Sequence, residues 1–456
     1  MYRELEPLRQ PLSNELRERL PPPTAGVAES QLLQTYLDRL TLYVGCDVAD
    51  RTFTLYAEAA GGEKVGHLEE VPNQPDGFEQ AWHWLDKQRR RHQLRLIVLA
   101  METTGVFYWA WWDYLADCPQ LARVLYNPRT TEHMTEMLSK KVRNELVDAY
   151  ALAEQVRHGA TPEVVPVEDS DLLTARFASR AARDLAGQIN RQKNQLRALL
   201  RAYNPALGMA FSGNKFHHPA AYALAQAHLF PDEVVAAGVD RVLNIFLTHC
   251  HSAFDIRDAE RLVSLCRHLP NRAIGREVIR QRAQHLMADI QLAKQRQQAF
   301  LHTGFALIAD RPETQLLQAT KGAGISNTLA LVSELGGAGR FADGEHMASF
   351  LGITTSKHIS GTTLHHSKHI TKQGPPNARF AAVNLAGQLC RYVPKYQQMY
   401  RRIKGRKPPC KGHFVALVAI ARDFVSNVLY DMWLNQRPFF LEVEDYRQYR
   451  RQQLNS

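Results

Sequence analysis

The run Leu94-Arg95-Leu96-Ile97-Val98-Leu99-Ala100-Met101 is apolar at every position but one and stops at Glu102. A segment this short, with apolar side chains on both parities, has to be covered on both faces, which is the condition of a parallel strand inside an α/β layer. The surrounding sequence supplies the other elements. Leu42 to Val48 is a second apolar run, broken by the carboxylate of Asp47, and a turn at Asp50-Arg51 leads to a strand from Thr52 to Ala59. Gly61-Gly62 turns the chain into a third strand, Lys64 to Val71, and Pro72 to Gly77 introduces a helix reaching Arg91. After Glu102 come an aromatic-rich helix, Val106 to Leu115, a short strand, Ala122 to Tyr126, and two helical stretches, the second from Glu145 to His158.

Three consecutive strands, a helix, a strand, a helix and a strand is the element order of a ribonuclease-H-like fold. With 456 residues the chain is long enough for two or three domains. A formal net charge of +10 makes an acidic polymer, nucleic acid above all, the natural partner. The six cysteines are scattered without close pairs, which fits reduced thiols rather than a disulfide scaffold or a zinc site. No uninterrupted apolar run reaches the roughly 18 residues of a membrane span, and the N-terminus lacks an apolar signal region. The expectation is a cytoplasmic protein with no membrane segment.

Residues 1–40 form an extension interrupted by Pro21-Pro22-Pro23, and Thr161 to Asp171 reads as a boundary. A basic helix from Leu172 to Tyr203 places Leu185, Ile189, Leu196, Leu199 and Tyr203 on one face. A second long helix, Gly275 to Leu301, carries Ile279, Ala283, Leu286, Ile290, Ala293 and Phe300 at coiled-coil spacing, weakened by its alanines and Gln297. The stretch between them, with His217-His218 and many alanines, reads as less regular. From Pro312 the elements mix again: Lys321-Gly322-Ala323-Gly324 precedes an apolar helix, Asn327 to Leu335. That Gly-x-Gly turn is either a phosphate-facing helix entry or a tight turn into the core. Arg391 to Lys411 interleaves Tyr392, Tyr396 and Tyr400 with cations, a pattern suited to stacking and phosphate contact or to a solvated amphipathic face.

Two groups of residues carry chemistry. Asp47 and Glu102 each end a strand, and those strands are neighbours in the expected sheet. Glu145 and Asp148 are three apart on a helix and share a face. Together the four carboxylates suit Mg²⁺ or Mn²⁺, whose preferred ligands are oxygen, and two such ions about 3.5–4 Å apart assist displacement at phosphorus. Each residue also has an ordinary reading, as a turn former or an acidic first helical turn. The second group is Ser360-Gly361 with Lys368, Lys372 and Arg379 downstream. It is either a simple turn or a nucleophilic serine whose neighbouring cations stabilise developing charge on a phosphate. His358, His365, His366 and His369 lack the cysteine or acidic partner of a zinc set and read as loop histidines near nucleic acid.

The segments Tyr43-Val44-Gly45-Cys46-Asp47-Val48, Met101-Glu102-Thr103-Thr104-Gly105-Val106 and Arg143-Asn144-Glu145-Leu146-Val147-Asp148-Ala149 resemble, in order and spacing, the catalytic blocks of the DEDD transposases of bacterial insertion sequences. Lys321-Gly322-Ala323-Gly324, Phe350-Leu351-Gly352, Ser360-Gly361, Lys372-Gln373-Gly374 and Arg379 resemble that family's C-terminal domain. The sequence departs from the family at Glu145, where Asp is usual, at Ala323, where Ile is common, and at Gly374-Pro375-Pro376, where Asn commonly follows Gly. The resemblance implies an N-terminal extension (1–40), a RuvC-like catalytic domain (41–165), a helical spacer with a possible coiled coil (166–310), a mostly helical C-terminal transposase domain (311–435) and a tail (436–456). It further implies a Mg²⁺-dependent transposase or site-specific recombinase. Asp47, Glu102, Glu145 and Asp148 hold the metal, and Ser360 forms a covalent phosphoserine intermediate. Lys368, Lys372 and Arg379 contact nucleic acid. The implied partners are donor and target DNA, a guide RNA that selects them, and further copies of the chain in a dimer or tetramer with a composite active site. The alternatives are a RuvC-like junction endonuclease in which Ser360 is structural, and a non-catalytic nucleic-acid-binding protein.

Overall fold

The computed structural model describes residues 37–439 except 104–105, 127–130, 133, 137–143, 160–168, 212–214, 251–252, 272–273, 361–362 and 407–408. Residues 1–36 of the expected extension, most of the boundary segment and residues 440–456 of the C-terminal tail lie outside the described residues. The chain divides into two compact units, Met1–Val167 and Glu168–Ser456.

The first unit is built on a mixed five-stranded sheet. Strands β1 (Thr41–Val48), β2 (Thr52–Glu58) and β3 (Lys64–Pro72) form an antiparallel meander. Helix α1 (Pro75–Arg91) carries the chain to β4 (Leu96–Glu102), parallel to β1, and α2 (Trp109–Tyr114) to β5 (Leu121–Tyr126), parallel to β4. The order across the sheet is β3-β2-β1-β4-β5. All five strands fall where the apolar runs placed them, and β1 and β4 are covered on both faces.

Parity along these two strands decides which side chain goes where. Leu42, Val44 and Cys46 on β1, with Ile97, Leu99 and Met101 on β4, face a core shared with Phe78, Leu85 and Trp111. There Trp111 stacks on Phe53 with ring centroids 5.1 Å apart. Tyr43 on β1 and Val98 and Ala100 on β4 face the other way, into a core closed by Leu152 and Val156. Those two belong to helix α3 (Glu145–Arg157), which lies on that second face. A methyl group on Gly45 would stand 1.9 Å from the carbonyl oxygen of Ala149 and 2.5 Å from the nitrogen of Ala153. The glycine therefore lets α3 lie directly on β1. At its far end α3 is tied to β2, where Arg157 Nε donates to the buried Glu58 at 2.8 Å and Arg157 Nη2 to Glu154 at 2.5 Å.

The second unit is mostly helical. Helix α4 (Ser170–Tyr203) runs antiparallel to α9 (Arg276–Ala306): Gly304 lies against Ala178, Gln297 donates to the Ala182 carbonyl at 3.1 Å, and Leu185 to Gln192 line a cavity with Asp289 to Arg296. Most of the expected coiled-coil seam is thus closed within the chain, with Ala283, Leu286, Ile290 and Ala293 buried together with Ile189, Leu196 and Leu200, while Phe300 at its end is exposed. The stretch between the long helices is helical, contrary to the irregular reading: α5 (Pro205–Ala210), α6 (Pro219–Ala227), α7 (Pro231–His249, broken at Gly238) and α8 (Ile256–Arg267). Prolines at the helix starts and alanine-rich faces hide this from a periodicity search, because a small-residue face carries little hydrophobic signal.

Helices α10 (Pro312–Ala319), α11 (Ile325–Leu335) and α12 (Gly344–Phe350) lead to a hairpin, β6 (Thr355–Ser360) and β7 (Thr363–Ile370). Then follow α13 (Pro376–Tyr392), α14 (Pro394–Gly405), α15 (Pro409–Asp423), a π-helical turn (Phe424–Leu429) and α16 (Tyr430–Leu434). Among the described residues, Gly412–Leu434 is long and apolar enough to cross a membrane, which the sequence reading did not expect. Its Ala416, Ile420, Phe424, Val425, Leu429 and Trp433 are buried inside the second unit. Tyr396 is also buried, so it fills the core instead of offering a stacking face as the tyrosine pattern suggested.

Substituting Gly45→Ala should lift α3 off β1 and destabilise the first unit by about 1–3 kcal/mol, as overpacking does. Urea unfolding followed by tryptophan fluorescence checks this.

Candidate active site

Asp47 and Gly45 share a face of β1, and Glu102 continues the same face of β4 beyond Ala100. The parallel register pairs Cys46 with Met101, so the two strand-end carboxylates come up side by side. Helix α3 starts over that edge. Its N-cap is Asn144, whose side chain accepts from the Val147 amide at 2.9 Å, and its first turn carries Glu145 and Asp148. The helix dipole favours negative charge at this end.

Two threonines that sequence reading missed hold the helical pair. Thr54, the cross-strand partner of Asp47, donates to Glu145 Oε2 at 3.4 Å, and Thr135 donates to Asp148 Oδ1 at 2.9 Å. Thr54 could have been found from the β1–β2 register once Asp47 was suspected, whereas Thr135 leaves no local signal. Glu145, one methylene longer than the Asp usual in the resembling family, reaches the hydroxyl of Thr54 on β2.

Burial pushes the Asp47 carboxyl up to about 7, and the negative charges of Asp148, Glu102 and Glu145 add to the shift in that order. The other three carboxylates therefore lie near enough to Asp47 for their charges to act on it. Among the described residues no three His, Cys, Asp or Glu side chains converge closely enough to ligate one ion as they stand. In donor type and charge the set fits a hard divalent cation: four oxygen ligands whose mutual repulsion a cation would relieve.

The other group lies in the second unit. Ser360 is the last residue of β6, paired with Thr363, rather than a loop residue; Lys368 is on β7, as are His365, His366 and His369, while His358 is on β6. The base of this hairpin is built from a close crossing. A methyl group on Gly352 would stand 2.0 Å from the Gln373 carbonyl oxygen, and one on Gly374 1.8 Å from that of Phe350. Both glycines have positive φ, as does the exposed Lys372 beside them. Arg379, the expected phosphate contact, donates through Nη1 to the carbonyls of Lys372 at 3.0 Å and Leu351 at 3.2 Å, with those of Gln373 and Gly374 just beyond. Pro375 and Pro376, the departure from the family pattern, form the N-cap and first turn of α13, where proline's fixed φ starts a helix.

Residues 44–205 match the transposase family model of the DEDD, IS110 type, and residues 314–401 match the transposase model of the IS116/IS110/IS902 family. The chain belongs to the IS110-type DEDD transposases. A protein of Streptomyces coelicolor, described as "Insertion element IS110 uncharacterized 43.6 kDa protein", is 23% identical over 326 residues, covering 68% of this chain and 75% of the relative. A transposase cleaves and rejoins DNA, so DNA is its substrate. The first match spans the β1, β4 and α3 carboxylates, and the second spans the hairpin and Arg379.

Because the fold holds the Asp47 proton that the unfolded chain releases near pH 4, the transposase without divalent cation should lose stability as pH rises from about 4 to about 7, by up to about 1.4 kcal/mol per pH unit. Asp47→Asn should flatten that slope in urea titrations run in EDTA. Arg379→Lys keeps the charge but not the fork of donors. It should speed amide hydrogen exchange across β6 and β7 several-fold, and unchanged exchange would refute a clamping role.

Proposed function

We propose that the transposase carries a RuvC-like catalytic domain (41–165), a helical spacer (166–310) and a serine-bearing C-terminal transposase domain (311–435), and that it recombines an insertion sequence with a target site. The placement of Asp47, Glu102, Glu145 and Asp148 at one edge of the sheet, near enough for the other three charges to act on Asp47, is the observation that carries this reading. The strand order β3-β2-β1-β4-β5, with β2 alone running against the other four strands, supports the RuvC-like assignment.

In this reading the four carboxylates hold Mg²⁺, or Mn²⁺ in its place. The metal, when bound, supplies Lewis acidity to the phosphate and leaving oxygens. Thr54 and Thr135 orient the two helical carboxylates. Ser360 Oγ attacks a phosphodiester phosphorus as its proton is released to a base; the new O–P bond forms as the bridging P–O bond breaks, and the departing sugar oxygen takes up a proton. The phosphoserine ester conserves the energy of the broken bond, and attack by another strand's hydroxyl rejoins the DNA and frees the serine. Lys368, Lys372 and Arg379 contact the backbone, and Arg379 also shapes the base of the hairpin. The family resemblance adds a guide RNA that chooses donor and target DNA, a homo-oligomeric assembly and work in the cytoplasm.

Ser360→Ala should abolish strand joining and the covalent protein–DNA adduct trapped by denaturing gels, while Asp47→Ala should abolish metal-dependent cleavage by at least about 100-fold. Cleavage that survives Ser360→Ala without any adduct would favour a junction endonuclease instead.

A further inference from the structure

The long helices carry a group of cations that neither the carboxylates nor the serine employs. Lys193 and Arg197 lie one turn apart on α4, and Lys294 of α9 follows Ala293, which lines one cavity with Gln192, the residue before Lys193. All three are half-buried. Burial lowers the Lys193 ammonium, and the charges of Lys294 and Arg197 lower it further. Among the described residues no carboxylate lies within 4.0 Å of Lys193, Arg197 or Lys294.

The group is also oriented. Arg197 Nη2 stands 2.8 Å from His217 Nε2, and since a guanidinium only donates, that ring nitrogen accepts. The ring proton is then on Nδ1, which donates to the Tyr222 hydroxyl at 2.9 Å. His217 is held neutral: burial first, then Arg197, Lys193 and Lys294 push it down to about 4. The histidine therefore fixes Arg197 without adding a fourth charge. Phe216, under the Arg197 guanidinium at 5.6 Å, is buried, and the Tyr222 hydroxyl is engaged, so the site offers cations rather than faces for unstacked bases.

Half-buried like charges without a counter-charge work against folding. Such a group makes sense where a polyanion completes the site. We propose that Lys193, Arg197 and Lys294 form a binding site for the phosphodiester backbone of duplex DNA, so that the helical segment grips substrate as well as joining two domains. The proposal rests on the chain acting on DNA and is independent of the carboxylate and serine chemistry.

The test uses the full chain in EDTA, where binding is separated from catalysis. Affinity for a duplex of arbitrary sequence is measured against KCl concentration for the wild type and for Lys193→Gln/Lys294→Gln, with a folded RNA hairpin as a second arm. Loss of two phosphate contacts should lower the magnitude of the log–log salt slope for duplex DNA by about 1.8 and weaken binding roughly 10- to 30-fold near 0.15 M salt. The melting temperature should stay level or rise, since repulsion is removed. Lys193→Arg/Lys294→Arg should retain the wild-type slope. An unchanged DNA slope, or a loss seen only with RNA, overturns the proposal. Should the glutamine variant not fold, lysine acetylation footprinting of the wild type decides: DNA should shield Lys193 and Lys294, and equal labelling with and without DNA overturns it.

Discussion

The first unit depends on a distance that only a hydrogen atom permits. Helix α3 rests on β1 at Gly45, two residues before Asp47, and its backbone at Ala149 and Ala153 occupies the space of a side chain. Because packed interiors leave few gaps, that contact fixes the height of the helix above the sheet. Glu145 and Asp148 are one turn away on the same helix, so their separation from Asp47 and Glu102 follows from it. The Arg157–Glu58 pair at the other end prevents the helix from pivoting about the glycine. The carboxylate cluster is therefore largely a product of backbone packing: its charges, which repel one another, are brought together by the helix–sheet contact, and the hydroxyls of Thr54 and Thr135 then hold Glu145 and Asp148.

The second unit is organised differently, around ion pairs. Glu334 on α11, 2% exposed, accepts from Arg180 at 2.8 Å and lies 3.3 Å from Arg176, both on α4. Arg176 also donates to the Ser333 carbonyl, and Asn377 at the start of α13 donates to Ser179 Oγ at 2.8 Å. A buried carboxylate between two guanidiniums adds little net stability compared with apolar packing, but removing one partner is costly, so such an arrangement specifies which helices meet. Helix α4 serves two cores: Leu172, Ala175 and Ala182 are buried in its first half, and Ile189, Leu196 and Leu200 pack with α9 in its second.

Much of the first unit was legible because its signals are local. Apolar runs ending in Asp47 and Glu102 mark strands, and i,i+3 spacing joins Glu145 to Asp148. What was not legible depends on chain segments meeting: the register that sets Thr54 opposite Asp47, the crossing of Gly352 and Gly374, and the carbonyls that engage Arg379. The seam of α9 was visible, but its partner was not, since coiled-coil spacing is the same whether the other helix belongs to this chain or another. Tyr396 and Tyr400 look equivalent in sequence, yet one is core and the other hydrogen-bonds His413 at the surface. Helical phase alone could not separate them. Ser360 was found through its family resemblance, because a Ser-Gly pair has no physical signature that distinguishes it from a turn.

The continuity of α4 sets a scale. Asn377 fastens the base of the Ser360 hairpin to α4 at Ser179, and Lys193 and Arg197 lie 14 and 18 residues further along the same uninterrupted helix. At 1.5 Å per residue this is roughly 21–27 Å, the length of about 6–8 base pairs. A duplex gripped at those cations would be registered against the hairpin by a rod that cannot stretch. On that proposal the helix would act as a ruler, converting a count of residues in the protein into a count of base pairs in the DNA.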